Sequence, residues 1–212
     1  MSFEVRNPHN TVLIDQDGVI ADFDAEVVAR VSDRYPHIQP QEPLPAIPHF
    51  YTHANYAEEH QRQVQQISNE PGFIEALPVV DGAVEGWHRI MDAGFVPIIC
   101  STPIPEKYMP TCQQEKIAWL TKHFGKMAAE SAIFTPSKYL VRAAILIEDR
   151  PPPLSNSEQA VWEHVVFDRP CNRTPESQGL IRINSWREPT LEIKLNMAHA
   201  RYLTRQTRGH PL

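Results

Sequence analysis

A doubly wound α/β fold on one parallel sheet is what this chain predicts. Three observations lead there. Short apolar runs recur along the sequence, segments of helical periodicity separate them, and polar clusters stand directly after several of the runs. A length of 212 residues fits one main domain with a small insertion.

The first run, Thr11–Ile14, ends at Asp15 and has the unbroken apolar character of a strand buried on both faces. A helix is expected from Asp22 to about Arg34, with Val27, Val28 and Val31 on one face. From about Tyr35 to Gly72 the alternation breaks. A stretch rich in proline and histidine leads to a helix expected at Asn55–Asn69, so polar that it reads as a surface cap. The division is therefore a core of residues 1–34 and 73–212 and a small helical cap of residues 35–72 inserted after the first strand.

Alternation then resumes. Asp81 is placed as the cap of a helix whose Val84, Trp87, Ile90 and Met91 share a face, and Gly94 as its left-handed end. Phe95–Cys100 reads as the next strand. Thr111–Phe124 reads as a helix with Ile117, Leu120 and Phe124 inward, stopped by Gly125. Ala132–Thr135, Ala144–Glu148 and His164–Asp168 read as further strands, and Leu180–Ile183 as a short one. Arg187–Arg208, with Leu191, Leu195, Ala198 and Tyr202, reads as a closing amphipathic helix.

Composition narrows the function. Lys and Arg number 20 against 26 Asp and Glu, a net charge of −6, which argues against a surface that coats a nucleic-acid polymer but leaves room for a basic pocket holding one small anion. Residues Met1–Asn10 lack the apolar stretch of a secretory signal, and no window holds the ~18 apolar residues of a membrane span. Cys100, Cys112 and Cys171 are odd in number and lack C-x-x-C spacing, so they read as free thiols, and a cytoplasmic location is expected.

The chemistry lies in the clusters after the strands. Asp15-Gln16-Asp17-Gly18 follows the first, Ser101-Thr102-Pro103 the second, Lys138 the third, and Glu148-Asp149 ends the fourth. In a parallel sheet those strand ends share one rim, where ligands sit. Two aspartates two residues apart suit phosphoryl transfer. Asp15 can attack phosphorus as a carboxylate, and Asp17 can protonate the leaving oxygen and later deprotonate water. Gly18 lets the backbone turn tightly beside a phosphate. Asp15 and Asp149 can hold a Mg²⁺ ion that relieves the repulsion between packed carboxylates. Ser101 can donate to a phosphoryl oxygen and Lys138 can neutralise charge in the transition state. Singly, each group has a structural reading as a turn, a helix cap or a solvated charge. Their order, each after an apolar strand, outweighs those readings.

The ordered set resembles the haloacid dehalogenase-like phosphatase superfamily, which implies a Rossmann-like core with a variable cap. More closely, Val12–Phe23 is similar to the opening of the 5′(3′)-deoxyribonucleotidases, and Pro71-Gly72-Phe73 with Leu77–Ala83 to that family's return from cap to core. Ile99–Pro103, Leu146–Arg150 and Trp162-Glu163-His164 continue the likeness. The resemblance implies Asp15 as nucleophile and Asp17 as general acid/base. It also implies Mg²⁺ held by Asp15, the Asp17 backbone carbonyl and Asp149, and phosphate bound by Ser101 and Lys138. Phe23 takes the place of an aromatic that packs on the nucleobase, and Thr102 that of a hydroxyl near the phosphate. Ser101-Thr102 stands where the family more often has Thr-Ser, and Glu148-Asp149 where it often has Asp-Asp. Pro136 stands where animal members often carry an arginine, so one cation near the phosphate is missing.

The expected function is Mg²⁺-dependent hydrolysis of nucleoside monophosphates, deoxyribonucleotides first, through an aspartyl-phosphate. The same chemistry on another small phosphate ester is the alternative. A non-catalytic nucleotide-binding module is disfavoured because Asp15, Asp17, Lys138 and Asp149 are all intact. The expected partner is a small molecule, neither a nucleic-acid polymer nor a membrane, and a homodimer is left open. His49, His53 and His60 lack an acidic or cysteine partner and are not read as a metal site. Phe50, Tyr51 and Tyr56 fit either a base-stacking wall or the small core of the cap.

Overall fold

The structure, a computed structural model, describes residues 5–207. Its centre is a six-stranded, wholly parallel sheet: β1 (Thr11–Ile14), β2 (Val96–Ser101), β3 (Ile133–Phe134), β4 (Ile145–Glu148), β5 (Glu163–Phe167) and β6 (Ile181–Ile183). The order across the sheet is β3-β2-β1-β4-β5-β6. The chain therefore winds outward from β1 in one direction, returns to β4 on its other side, and winds outward again. The reversal falls between β1 and β4, the point where an open α/β sheet leaves a crevice at its carboxyl edge.

Helices α1 (Phe23–Arg34), α2 (Glu58–Ser68), α3 (Ala83–Asp92), α4 (Cys112–Phe124), α5 (Lys126–Ser131) and α6 (Leu191–Thr207) complete the described elements, with short 3₁₀ turns between them. Every residue of β1 and β4 is buried. Alternate side chains enter opposite layers, as strand geometry requires: Val12 and Ile14 join the larger core, and Leu13 joins a smaller one with Cys100, Val141, Leu146 and Trp162. Tyr56, Val64, Ile67 and Phe73 lie in the same core as Val27 and Val31 of α1, so the segment of residues 35–72 is packed onto α1. Its return is stitched by Glu115 of α4, whose buried carboxylate accepts from the amides of Gly72 and Ile74 at 2.8 and 3.1 Å.

Several local expectations are corrected. Gly82, at φ +75°, starts α3, while Asp81 pairs with Arg187 at 2.9 Å. The buried face of α3 is Ala83, Gly86, Trp87 and Ile90; Val84 and Met91 are exposed. The cause is Trp186, which packs so closely on Gly86 that a Cβ there would lie 2.5 Å from the indole. The helix thus turns its small residues inward. On α4, Ile117 is exposed while Glu115 and Lys116 are buried with Trp119 and Leu120. α2 begins at Glu58, because Asn55 is buried and bonds the backbone of His49 through both Oδ1 and Nδ2. α5 is an additional helix, and α6 begins at Leu191 with Arg208 outside the described residues. No helix among the described residues is long and apolar enough to cross a membrane.

Candidate active site

The turn after β1 is built by backbone. The Gln16 carbonyl accepts from the amides of Ile20 and Ala21 at 3.0 and 2.9 Å, and the Gly18 amide donates to the Ala21 carbonyl at 2.8 Å. Asp22 then caps α1 by accepting from the Ala25 amide at 3.1 Å. Gly18, at φ +76°, sits against Asp149: a Cβ at this position would lie 1.9 Å from Asp149 Oδ2. Only glycine lets the β1 turn and the end of β4 approach so closely.

Lys138, in the 3₁₀ turn Lys138–Leu140, places its ammonium 2.9 Å from Asp15 Oδ1 and 2.5 Å from Glu148 Oε2. Asp15, Glu148 and Asp149 each offer a carboxylate oxygen, all within 4.8 Å of one another. The structure therefore brings Asp15, Lys138, Glu148 and Asp149 together. Asp17 stands on the same cavity wall and pairs with Lys116 of α4, whose Nζ lies 2.6 Å from Asp17 Oδ2. The same ammonium donates to Ser101 Oγ at 3.2 Å. Ser101 is buried behind the cavity wall, its O–H still available to donate. Thr102 lines the cavity, with Oγ1 donating to the Thr135 carbonyl at 3.0 Å.

The two aspartates of the turn differ electrically. Burial raises both. For Asp15 the ammoniums of Lys138 and Lys116 outweigh burial and hold the carboxyl below its usual range. For Asp17 burial prevails over Lys116, and the negative Asp15 adds to it, so its carboxyl is raised. Burial, then Asp15, pushes Glu148 up to about 7. Burial, Glu148 and Asp15 raise Asp149 well above the carboxylate range, and its Oδ1 is buried with no hydrogen-bond partner. Burial disfavours the Lys138 cation, but Asp15 and Glu148 more than offset it.

Above these groups opens a cavity of about 570 Å³. Phe23 lines it and meets Phe73 edge-on at 5.0 Å. Phe50 and Tyr51 line the far wall, with the Arg150 guanidinium 4.4 Å over the Phe50 ring. Tyr56 is fully buried and belongs to the core, whereas Phe50 and Tyr51 face the cavity. His53 also lines the cavity and stacks on Tyr51 at 5.8 Å, while His60 meets His37 edge-on at 6.2 Å. Cys100 and Cys112 are buried free thiols and Cys171 is half-buried.

Four supporting residues escaped sequence reasoning. Lys116 is the foremost, and it did leave a signal: Cys112, Lys116, Trp119 and Leu120 share the buried face of α4 at helical spacing. Asn172 Nδ2 donates to the Asp149 carbonyl at 2.8 Å, and Arg169 donates to the Gly18 carbonyl at 3.1 Å while pairing with Asp24. Glu115 is the fourth. For Asn172 and Arg169, more than twenty residues from the groups they hold, local pattern carries no trace.

The family described as 5′ nucleotidase, deoxy (Pyrimidine), cytosolic type C protein matches residues 9–199. A candidate 5′(3′)-deoxyribonucleotidase of Bordetella pertussis is 34% identical over 176 residues, covering 83% of this chain and 92% of its own. The human mitochondrial 5′(3′)-deoxyribonucleotidase is 31% identical over 180 residues, covering 82% and 78%. Among solved structures, a HAD family hydrolase of Deinococcus radiodurans with bound phosphate and sodium aligns over 92% of this chain and 96% of its own, with a TM-score of 0.53 at 16% identity, a likeness of fold.

Proposed function

Since the chain belongs to the 5′(3′)-deoxyribonucleotidase family, a group of phosphoric monoester hydrolases, we propose that it cleaves nucleoside monophosphates, deoxyribonucleotides first, through an aspartyl-phosphate on Asp15. The observation that carries this reading is geometric. Asp15 lies 2.9 Å from the Lys138 ammonium and within 4.8 Å of carboxylate oxygens of Glu148 and Asp149, and Asp17 stands on the same cavity wall, held 2.6 Å from Lys116. Burial raises the Asp17 carboxyl, while at Asp15 the lysines outweigh burial and lower it, as an acid and a nucleophile require.

The donor set fits a hard divalent cation. It consists of carboxylate oxygens, one of them the partnerless buried Oδ1 of Asp149. Asp15, Asp149 and the Asp17 backbone carbonyl are the groups that would hold Mg²⁺; Glu148 is engaged by Lys138. When bound, the ion supplies charge neutralisation between the carboxylates and the phosphate. The chain does the rest. A carboxylate oxygen of Asp15 attacks phosphorus and the ester P–O bond breaks. Asp17 gives its proton to the departing alkoxide. In the second step Asp17 takes a proton from water, the water oxygen attacks phosphorus, and the Asp15–phosphorus bond breaks to release phosphate. Lys138 and Ser101 hold phosphoryl oxygens, while Phe23 and the Phe50–Tyr51 wall supply flat apolar surface for a base. The three free thiols fit a reducing compartment such as the cytosol.

Phosphate release from deoxy- and ribonucleotides phosphorylated at 5′ or 3′, with and without Mg²⁺, tests the proposal. Asp15→Asn is expected to abolish turnover; a nucleotide panel on which the unaltered protein does no better than this variant refutes it. Pro136, lining the cavity where animal members of the family often carry an arginine, gives reason to extend the panel to sugar and amino-acid phosphates.

A further inference from the structure

Lys116 is a lysine with no solvent-exposed side chain, set in the apolar face of α4 beside Trp119 and Leu120. A buried ammonium is stabilised only where its hydrogen bonds and countercharge are supplied by protein, and two groups supply them here. One is Asp17 Oδ2 at 2.6 Å and the other is Ser101 Oγ at 3.2 Å. The view from Asp17 is equally narrow. Its Oδ1 is buried without a hydrogen-bond partner, so among the described residues the Lys116 ammonium is what orients this carboxylate. Asp17 lines the cavity, and Lys116 stands behind it with a fully buried side chain.

We infer that Lys116 is a positioning residue that fixes the Asp17 carboxylate for proton transfer to and from the reacting oxygens. This inference rests on the aspartyl-phosphate reading above. The physical ground is that proton transfer needs hydrogen-bond reach in the transition state, and a carboxylate free to rotate about its side-chain bonds loses it. The anchor is itself anchored. The next residue, Glu115, bonds Gly72, Ile74 and Thr111, so one turn of α4 ties both the return from the 35–72 segment and the side chain of Asp17.

The test is Lys116→Met, close in volume and without the ammonium. In a single turnover on a nucleotide, where the leaving alkoxide needs a proton, product release is expected to slow by about 100-fold with KM within about twofold. With p-nitrophenyl phosphate, whose leaving group departs unprotonated, the first-turnover burst is expected to slow by less than about fivefold. A loss of packing alone would depress both substrates alike, and that result overturns the inference. In an Asp17→Asn background, Lys116→Met is expected to add less than about twofold; an undiminished effect there also overturns it. Lys116→Gln, with an amide donor, is expected to recover part of the nucleotide rate and serves if the methionine variant does not fold. Crystals of the unaltered protein with Mg²⁺ and orthovanadate provide a readout without substitution: Asp17 must stay bonded to Lys116, and an Asp17 swung away refutes the role. If Asp15→Asn keeps turnover, the underlying reading fails. If Asp15→Asn is inactive and Lys116→Met is normal on both substrates, only this inference fails.

Discussion

Replacing Gly18 with alanine probes the closest approach in the site. The added Cβ lies 1.9 Å from Asp149 Oδ2 and 2.8 Å from its Cγ, whereas ordinary contact begins at 3.4 Å. Either the Asp149 carboxylate retreats by about 1.5 Å or the β1 turn opens by a similar amount, since a packed interior cannot absorb the overlap. Magnesium demands oxygen ligands within a few tenths of an ångström of its preferred distance, so a shift of this size removes Asp149 from the donor set. Mg²⁺ affinity is expected to fall by at least 10–100-fold, on the order of what loss of a ligand's support costs elsewhere. A second cost is independent of the clash. At φ +76°, alanine carries roughly 1–2 kcal/mol of left-handed strain. That lowers Tm by roughly 2–8 °C for a chain of this size. Gly94→Ala separates the two effects, because Gly94 has φ +87° with nothing within 4 Å of its added Cβ. It is expected to lose comparable Tm and leave Mg²⁺ binding unchanged. Isothermal titration with Mg²⁺, alongside the Mg²⁺ dependence of phosphate release, reads both. A Gly18→Ala protein that binds Mg²⁺ as tightly as the unaltered chain refutes the assignment of Asp149 as a ligand.

Glu115→Gln turns its one amide N–H₂ either towards the Ile74 amide or towards the Gly72 amide and Thr111 hydroxyl, which meet different carboxylate oxygens, and so leaves a buried donor unsatisfied. The expected cost is about 2–3 kcal/mol, seen as a Tm lower by roughly 5–10 °C. His164 is held down to about 4 by burial, then by the charges of Lys138 and Arg182, against an ordinary 6.5. Its neutral form is favoured in the folded state, so the stability it contributes is present above pH 6.5 and is lost as pH falls through 4. The loss is about 3 kcal/mol in denaturant titrations between pH 7 and pH 4, and His164→Val is expected to flatten that slope; an unchanged slope contradicts the assignment. Phe50→Ala removes one face of the aromatic wall under Arg150. KM for a nucleotide is expected to rise about tenfold, with p-nitrophenyl phosphate turnover within about twofold of normal; equal losses on both substrates speak against a base-binding wall.

The sheet was legible because burial on both faces leaves a local mark. Val12-Leu13-Ile14 and Ile145-Leu146-Ile147 are apolar without alternation, and each is followed by carboxylates at the rim. Topology carried the candidate site further: parallel strands ending in Asp15, Ser101 and Glu148-Asp149 had to converge, and Lys138 follows the edge strand into the same crevice. Helix faces were less legible, because which side faces in is decided by partners distant in sequence. Gly86 is inward because Trp186, a hundred residues on, needs the room. Asp81 is drawn from the start of α3 by Arg187 for the same reason of distance.

In α4 the misreading has a physical source that points back to chemistry. Weighing residues by hydrophobicity turns Ile117 inward and Lys116 outward, whereas the structure does the reverse. Burying a lysine is costly, and exposing an isoleucine forgoes apolar burial, so local energetics opposes the observed face twice over. Such a conflict persists where a specific countercharge offsets it, and Asp17 at 2.6 Å is that countercharge. A lysine in phase with the apolar stripe of Cys112, Trp119 and Leu120, beside an isoleucine out of phase with it, is therefore the mark this ion pair leaves in the sequence.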